Sequence, residues 1–243
     1  MVTDLHPHRM WLRGQPDLFL VPTESSRATL RRRYPAADVQ VVGMPVNEAF
    51  SMVPWRPSEP RVLIAAGGIG GGPVASVART LSKLPVKVAV ICGRNEALRD
   101  KLRADFPNME IMGEVPITEV AKQFSAATVF VSKPGGLTMF EAITSGVPFV
   151  IYWPLVIPGQ EEDNAKFMSD GGFGKIVRNP EQLLEVVGSL LSSPELRLKM
   201  SQAGLEQATP DAAERVIQAV ELKDLAMNRQ GPVPERRLAP EAG

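Results

Sequence analysis

The chemistry-bearing residues of this chain cluster in Ser132-Lys-Pro-Gly-Gly-Leu-Thr-Met-Phe-Glu141, which follows a short apolar run at 129–132. The stretch reads as a buried strand, a glycine turn and the first turns of a helix. Free backbone N–H groups and the positive end of a helix dipole converge at such a junction, which makes it an anion site. Glu141, about one turn into the helix, puts a carboxylate beside that anion, placed to accept from hydroxyl groups. A phosphate next to vicinal hydroxyls suggests a nucleotide. Thr138-x-x-Glu141 also fits a capping box, in which the glutamate only satisfies a backbone N–H, and Lys133 reads equally well as a solvated loop cation. Taken alone, the stretch leaves both readings open.

A second stretch, Pro158-Gly-Gln-Glu-Glu-Asp-Asn164, follows the next strand and therefore lies on the same sheet edge. Gln160 and Glu161 offer an amide and a carboxylate at adjacent positions. Such groups hold sugars, because each hydroxyl both donates and accepts and an unpaired partner is costly. Acidic residues are also favoured at a helix N-terminus. That accounts for Glu161, Glu162 and Asp163, but for neither Gln160 nor the preceding Gly159. The third cluster, Gly67-Gly-Ile-Gly-Gly-Gly72, is not a dinucleotide fingerprint. After Gly68 and Gly70 the third glycine would fall on Pro73, and no acidic residue closes the next strand. There is no P-loop pattern either. What remains is a glycine loop (Gly67, Gly68, Gly70, Gly71) at the carboxyl end of a strand, where open α/β sheets bind ligands.

Strands are expected at 17–21, 39–42, 62–66, 86–91, 109–112, 129–132, 147–152 and 175–177. Helices are expected between them and at 181–191, 194–204 and 212–227. Repeated strand–helix units with near-continuous apolar strands imply a doubly wound parallel sheet covered on both faces, an α/β fold. Residues 47–60 hold three prolines in a short span and read as a linker between residues 1–46 and a larger unit at 61–227. Residues 228–243 read as a disordered tail. Arg31-Arg-Arg33 closes a helix capped by Thr23, where cations suit the dipole; the alternative is a contact with phosphate or anionic lipid.

Lysine plus arginine and aspartate plus glutamate are both 27 in 243 residues, so no global field favours nucleic acid. The single cysteine, Cys92, sits in an apolar run, excludes an internal disulfide and fits a reducing, cytoplasmic setting. Zinc or cysteine-nucleophile chemistry is not indicated. The start of the chain has no signal-peptide core, and the longest apolar run, at 147–157, is too short to span a bilayer. Its large residues Trp153 to Ile157 either touch a lipid acceptor or bilayer, or pack against the sheet edge.

Ser132 to Glu141, Gly146-Val-Pro148 and Pro158-Gly-Gln-Glu-Glu-Asp-Asn-Ala165 together resemble the C-terminal domain of inverting GT-B glycosyltransferases. They are most similar to the diacylglycerol glucosyltransferases and monogalactosyldiacylglycerol synthases. The resemblance covers roughly residues 2–222. It implies a Rossmann-like donor domain that takes UDP-glucose or UDP-galactose and transfers the hexose to a lipid acceptor such as diacylglycerol, peripherally at a membrane surface. By resemblance, Glu141 binds the ribose, Gly135, Gly136, Leu137 and Thr138 present the pyrophosphate site, and Gly159, Gln160 and Glu161 serve the donor sugar. The backbone near Val115 to Ile117 meets the uracil, and the 67–72 loop lies over the phosphates or the acceptor. No metal or other cofactor is implied. Val2-Thr-Asp-Leu-His-Pro-His-Arg-Met-Trp11 resembles the end of the family's N-terminal domain, so residues 1–46 are expected to be its remnant, with the usual base absent. His8 is the candidate base within the chain. The alternatives are a donor-binding module complemented by a separate N-terminal half, and a UDP-sugar epimerase of the same fold.

Overall fold

The computed structural model describes residues 1–6, 16–65, 67 and 72–229. β1 (Phe19–Val21) and β2 (Val39–Val41) pair in parallel across α1 (Glu24–Arg33). A short helix, α2 (Ala49–Met52), leads to a six-stranded, all-parallel sheet. Its strands are β3 (Arg61–Ala65), β4 (Lys87–Ile91), β5 (Glu110–Met112), β6 (Val129–Ser132), β7 (Phe149–Tyr152) and β8 (Gly174–Val177). The crossovers are α3 (Val74–Leu81), α4 (Glu96–Asp105), α5 (Ile117–Ala126), α6 (Gly136–Ser145) and α7 (Glu162–Asp170). α8 (Pro180–Ser192), α9 (Pro194–Leu205) and α10 (Ala212–Arg229) complete the described chain. Each expected strand is present, its ends shifted by a residue or two.

Alternating burial explains the layering. Val62 and Ile64 of β3, Val129 and Val131 of β6, and Val150 of β7 face a core shared with Val77, Leu81, Leu183 and Val187. The intervening Leu63, Phe130, Phe149 and Ile151 face a second core with Phe124, Met139, Ile143 and Met168. Period-two alternation buried on both sides is what a doubly wound sheet requires. The strand order β5-β4-β3-β6-β7-β8 starts at the centre, winds outward to β5, then returns beside β3 with β6 and winds the other way. The carboxyl ends of β3 and β6 therefore flank a topological switch point. Ser132 Oγ closes this pair by donating to the Ala65 carbonyl at 2.6 Å.

Local signals set the helix ends. Thr23 caps α1 by accepting from Ser26 N, and Asn95, Asn179 and Ser193 cap α4, α8 and α9 in the same way. Gly146, at φ +74°, ends α6 in a left-handed turn where an added Cβ would lie 2.8 Å from Ser201 Oγ.

Residues 47–60, expected as a linker, are packed onto the large sheet's helices. Phe50 is buried with its ring 5.4 Å from that of Phe124. The Trp55 indole donates to the Ala127 carbonyl at 2.7 Å, and Arg56 N donates to the Ser125 carbonyl at 3.1 Å. After α2 the three prolines end regular structure but leave these contacts intact. The apolar stretch 153–157 also turns inward. It opens with a 3-10 turn, Trp153–Leu155, whose Leu155 is buried beside Val156, while Arg178 stacks over Trp153 at 4.6 Å; Ile157 is exposed. The expected tail begins inside α10, and residues 230–243 lie outside the described residues. α10 lays Val216 and Ala219 against Leu20 and Val42 of the small sheet, and Lys223 pairs with Asp38 at 2.9 Å.

The first residues are fixed to both sheets. Val2 N donates to the Leu20 carbonyl at 2.9 Å, and Leu5 is buried in the core beside Phe140 and Val156. Asn164, fully buried on α7, accepts from Leu5 N at 2.9 Å and donates to Asp4 Oδ1 at 3.1 Å and to the Pro134 carbonyl at 2.9 Å. His6 Nδ1 pairs with Asp163 Oδ2 at 2.9 Å. Asn164→Leu keeps the volume but orphans the Leu5 N–H and the Pro134 carbonyl. At about 1–3 kcal/mol for each unsatisfied group, the expected loss is about 2–6 kcal/mol in urea unfolding, and a loss below about 1 would refute the role given to this amide.

Candidate functional site

Because all six strands are parallel, the turns after β3, β5, β6 and β7 open on one edge. Gly67 lies just past β3, Val115 to Ile117 past β5, Lys133 to Gly136 past β6, and Gly159 to Glu161 before α7. The structure thus gathers Gly67, Val115, Ile117, Gly135, Gly136, Leu137, Thr138, Glu141, Gly159, Gln160 and Glu161 on that edge. Val115 is half-buried against the core, while Ile117 and Leu137 are exposed. Gly68, Gly70, Gly71 and His8, expected in the phosphate or acceptor loop and as a base, lie outside the described residues.

α6 begins at Gly136 with Gly135 as its N-cap and no side-chain cap. Thr138 therefore belongs to the first turn and Glu141 to the second, which removes the capping-box reading. No donor among the described residues pairs with Glu141. Its carboxyl is only partly exposed, and desolvation pushes its pKa from 4.5 to about 7. A carboxylate left without a partner near a helix N-terminus and a switch point is positioned to take hydroxyl donors.

Two expected roles meet different surroundings. Gly136 needs its lack of a side chain because the chain's own start approaches it: an added Cβ would lie 2.5 Å from the Thr3 carbonyl and 2.7 Å from Asp4 Oδ1. Glu161 is 1% exposed, and its two oxygens accept from Lys133 Nζ and, at 2.9 Å, from Ile157 N. Gln160 remains half-exposed and donates to Asp4 Oδ2 at 3.2 Å. Asp4, Lys133 and Asn164 were missed as site residues by sequence reasoning. Asp4 and Asn164 find each other across 160 positions, and neither carries a local signal of that contact. The signal for Lys133 was present, a cation inside the glycine turn. Among the described residues, no cluster of three or more His, Cys, Asp or Glu is placed to hold a metal ion.

The comparisons with known proteins bear on the fold and the family. A processive diacylglycerol beta-glucosyltransferase of Staphylococcus epidermidis is 28% identical over 223 residues, covering 85% of this chain and 56% of the relative. The enzyme of the same name from Bacillus subtilis is 28% identical over 247 residues, covering 93% and 63%. The chain thus spans between about half and two thirds of the length of these curated relatives. Among solved structures, MurG of Acinetobacter baumannii superposes with a TM-score of 0.63 at 24% identity, covering 87% of this chain and 68% of that one. The UDP co-structure of MnaA from S. aureus gives 0.65 at 14%, covering 89% and 61%. At these identities the two structures speak for a shared GT-B fold alone. The model of the glycosyltransferase family 28 C-terminal domain matches residues 73–216, more than half of the chain, from the start of α3 into α10. By that match, the chain belongs to glycosyltransferase family 28.

Proposed function

We propose that this chain binds a UDP-hexose at the β3–β6 switch point and serves the transfer of its hexose to a diacylglycerol-type lipid. The observation that carries the reading is Glu141, a carboxylate without a partner among the described residues, beside the glycine turn. The names of the relatives, processive diacylglycerol beta-glucosyltransferases, favour glucose and a lipid acceptor. In this reading the ribose hydroxyls donate to Glu141, the backbone N–H groups of the first turn of α6 take the diphosphate, and Val115 to Ile117 border the uracil. Gln160 faces the sugar. The acceptor oxygen attacks C1 of the hexose while the bond from C1 to the β-phosphate oxygen breaks. UDP leaves with the electron pair, and the acceptor proton passes to a base. The division into a partial acceptor unit at 1–46 and a donor unit at 61–227 belongs to the same proposal. So does attachment at a membrane surface, where a diacylglycerol-type acceptor resides; no helix among the described residues is long and apolar enough to cross a membrane.

A second reading is a donor-binding module completed by a separate acceptor half; the match spans 56% of the Staphylococcus epidermidis relative. Mixing the chain with such a half and following glycolipid formation from UDP-glucose and from UDP-galactose separates the two. Turnover by the chain alone excludes the module, and turnover only in the mixture supports it. Epimerase activity has no specific support beyond the fold.

Glu141→Ala is expected to weaken UDP binding by about 1.5–3 kcal/mol in calorimetry, the loss of hydrogen bonds to a charged group. Unchanged affinity would remove the ribose role. The pH dependence follows from the raised pKa. Between pH 4.5 and about 7 the folded chain holds a proton that the unfolded chain has released, so this group makes stability fall as pH rises through that window. The ionised form, which accepts from both ribose hydroxyls, dominates only above it. UDP affinity should therefore fall about tenfold from roughly pH 8 to 6 in the native chain. In Glu141→Gln only the smaller dependence from the phosphate's own titration should remain.

A further inference from the structure

The geometry points to Lys133 as the cation that meets the diphosphate of the donor, with Glu161 as its buried counter-ion rather than a ligand of the donor sugar. This rests on the nucleotide-sugar reading of the switch point and deepens it. Lys133 is the first residue after β6, the strand that lies beside β3 at the switch. Its side chain reaches along both glycine turns. An added Cβ on Gly135 would lie 3.6 Å from Lys133 Nζ, and one on Gly67 would lie 3.8 Å from Lys133 Cε. The ammonium therefore stands where the N-cap of α6 and the turn after β3 converge, and where the helix dipole already favours an anion.

Exposure separates the two partners. Glu161 is 1% exposed with both oxygens engaged, one by Lys133 and one by Ile157 N. Its carboxylate would have to give up a partner before it could accept from a sugar hydroxyl. Lys133 keeps 21% of its side chain at the surface. An ammonium has three donors, and among the described residues Glu161 takes the one hydrogen bond it makes. Its other N–H groups have no partner among the described residues, and in this proposal they donate to phosphate oxygens. A carboxylate this deeply buried requires a paired cation, so Glu161 anchors Lys133 at the turn before any ligand arrives. The charge that stabilises the departing diphosphate is then in place without reorganisation.

Calorimetry on the full chain with uridine, UDP and UDP-glucose tests this. K133M is expected to lower UDP affinity at least about tenfold, as for a lost charged hydrogen bond, and to leave uridine affinity within about threefold. K133R should restore part of the loss. K133M strands a buried carboxylate, so K133M/E161Q, which removes both charges, is measured beside it and should show the same selective loss. E161Q alone should leave the ratio of UDP-glucose to UDP affinity within about twofold of the native value, whereas a sugar ligand at this position would lower it at least about tenfold. Native-like UDP binding in K133M or the double variant would overturn the role of Lys133. A fall in that ratio in E161Q would overturn the counter-ion role. Failure of the native chain to bind UDP would instead defeat the nucleotide reading itself.

Discussion

Everything at this edge depends on one constraint, that β3 and β6 are parallel neighbours whose crossovers leave in opposite directions. Two helices departing to opposite sides cannot both cover the strand ends between them, so a crevice is left at the carboxyl edge. Two of the turns that border it need glycine, Gly67 for its φ of +75° and Gly136 for the approach of the Thr3 carbonyl. The same geometry aims the N-terminus of α6 into the crevice and brings Glu141 alongside, one turn deeper. Position, dipole and carboxylate all follow from strand order.

The second determinant is the start of the chain. Residues 2–6 do not trail from the small sheet. They run from a hydrogen bond to β1 across to α7, where Asn164 binds the Leu5 backbone, the Asp4 carboxylate and the Pro134 carbonyl together. One buried amide thus joins the incoming segment to the turn that forms the candidate anion site. Pro134 lies between Lys133 and Gly135, so Asn164 ties residues 4 and 5 to that turn. The close approach of Thr3 and Asp4 to Gly136 adds a steric limit to the same coupling.

The fold was legible because its determinants are local and periodic. The near-continuous apolar runs of β3, β6 and β7, the cap at Thr23 and the glycine turn before α6 all act over a few residues, and each appears in the structure as read. What stayed hidden depends on residues distant in sequence. The glutamate at 161 reads like a sugar-facing acid until Lys133, 28 residues earlier, is found against it. Residues 47–60 read as a linker because of their three prolines, yet Phe50, in α2, and Trp55 find partners on α5 and just beyond it. Trp153 to Ile157 left open a lipid contact or packing within the protein, and Leu155 and Val156 are core. Glu141 shows the converse. Its spacing from Thr138 mimics a cap, and only the helix start at Gly136 shows that the carboxylate has no such duty.

The contrast between the two glutamates of the site is electrostatic. Glu161 is the more deeply buried, yet it is compensated by an ammonium and a backbone N–H, so its burial is supported by partners. Glu141 is less buried but uncompensated, and desolvation alone carries its carboxyl up to about 7. An unpaired, partly desolvated carboxylate is a standing cost to the folded state that only an incoming donor group can relieve. In the proposed reading, the ribose hydroxyls that donate to Glu141 offset that cost at the switch point.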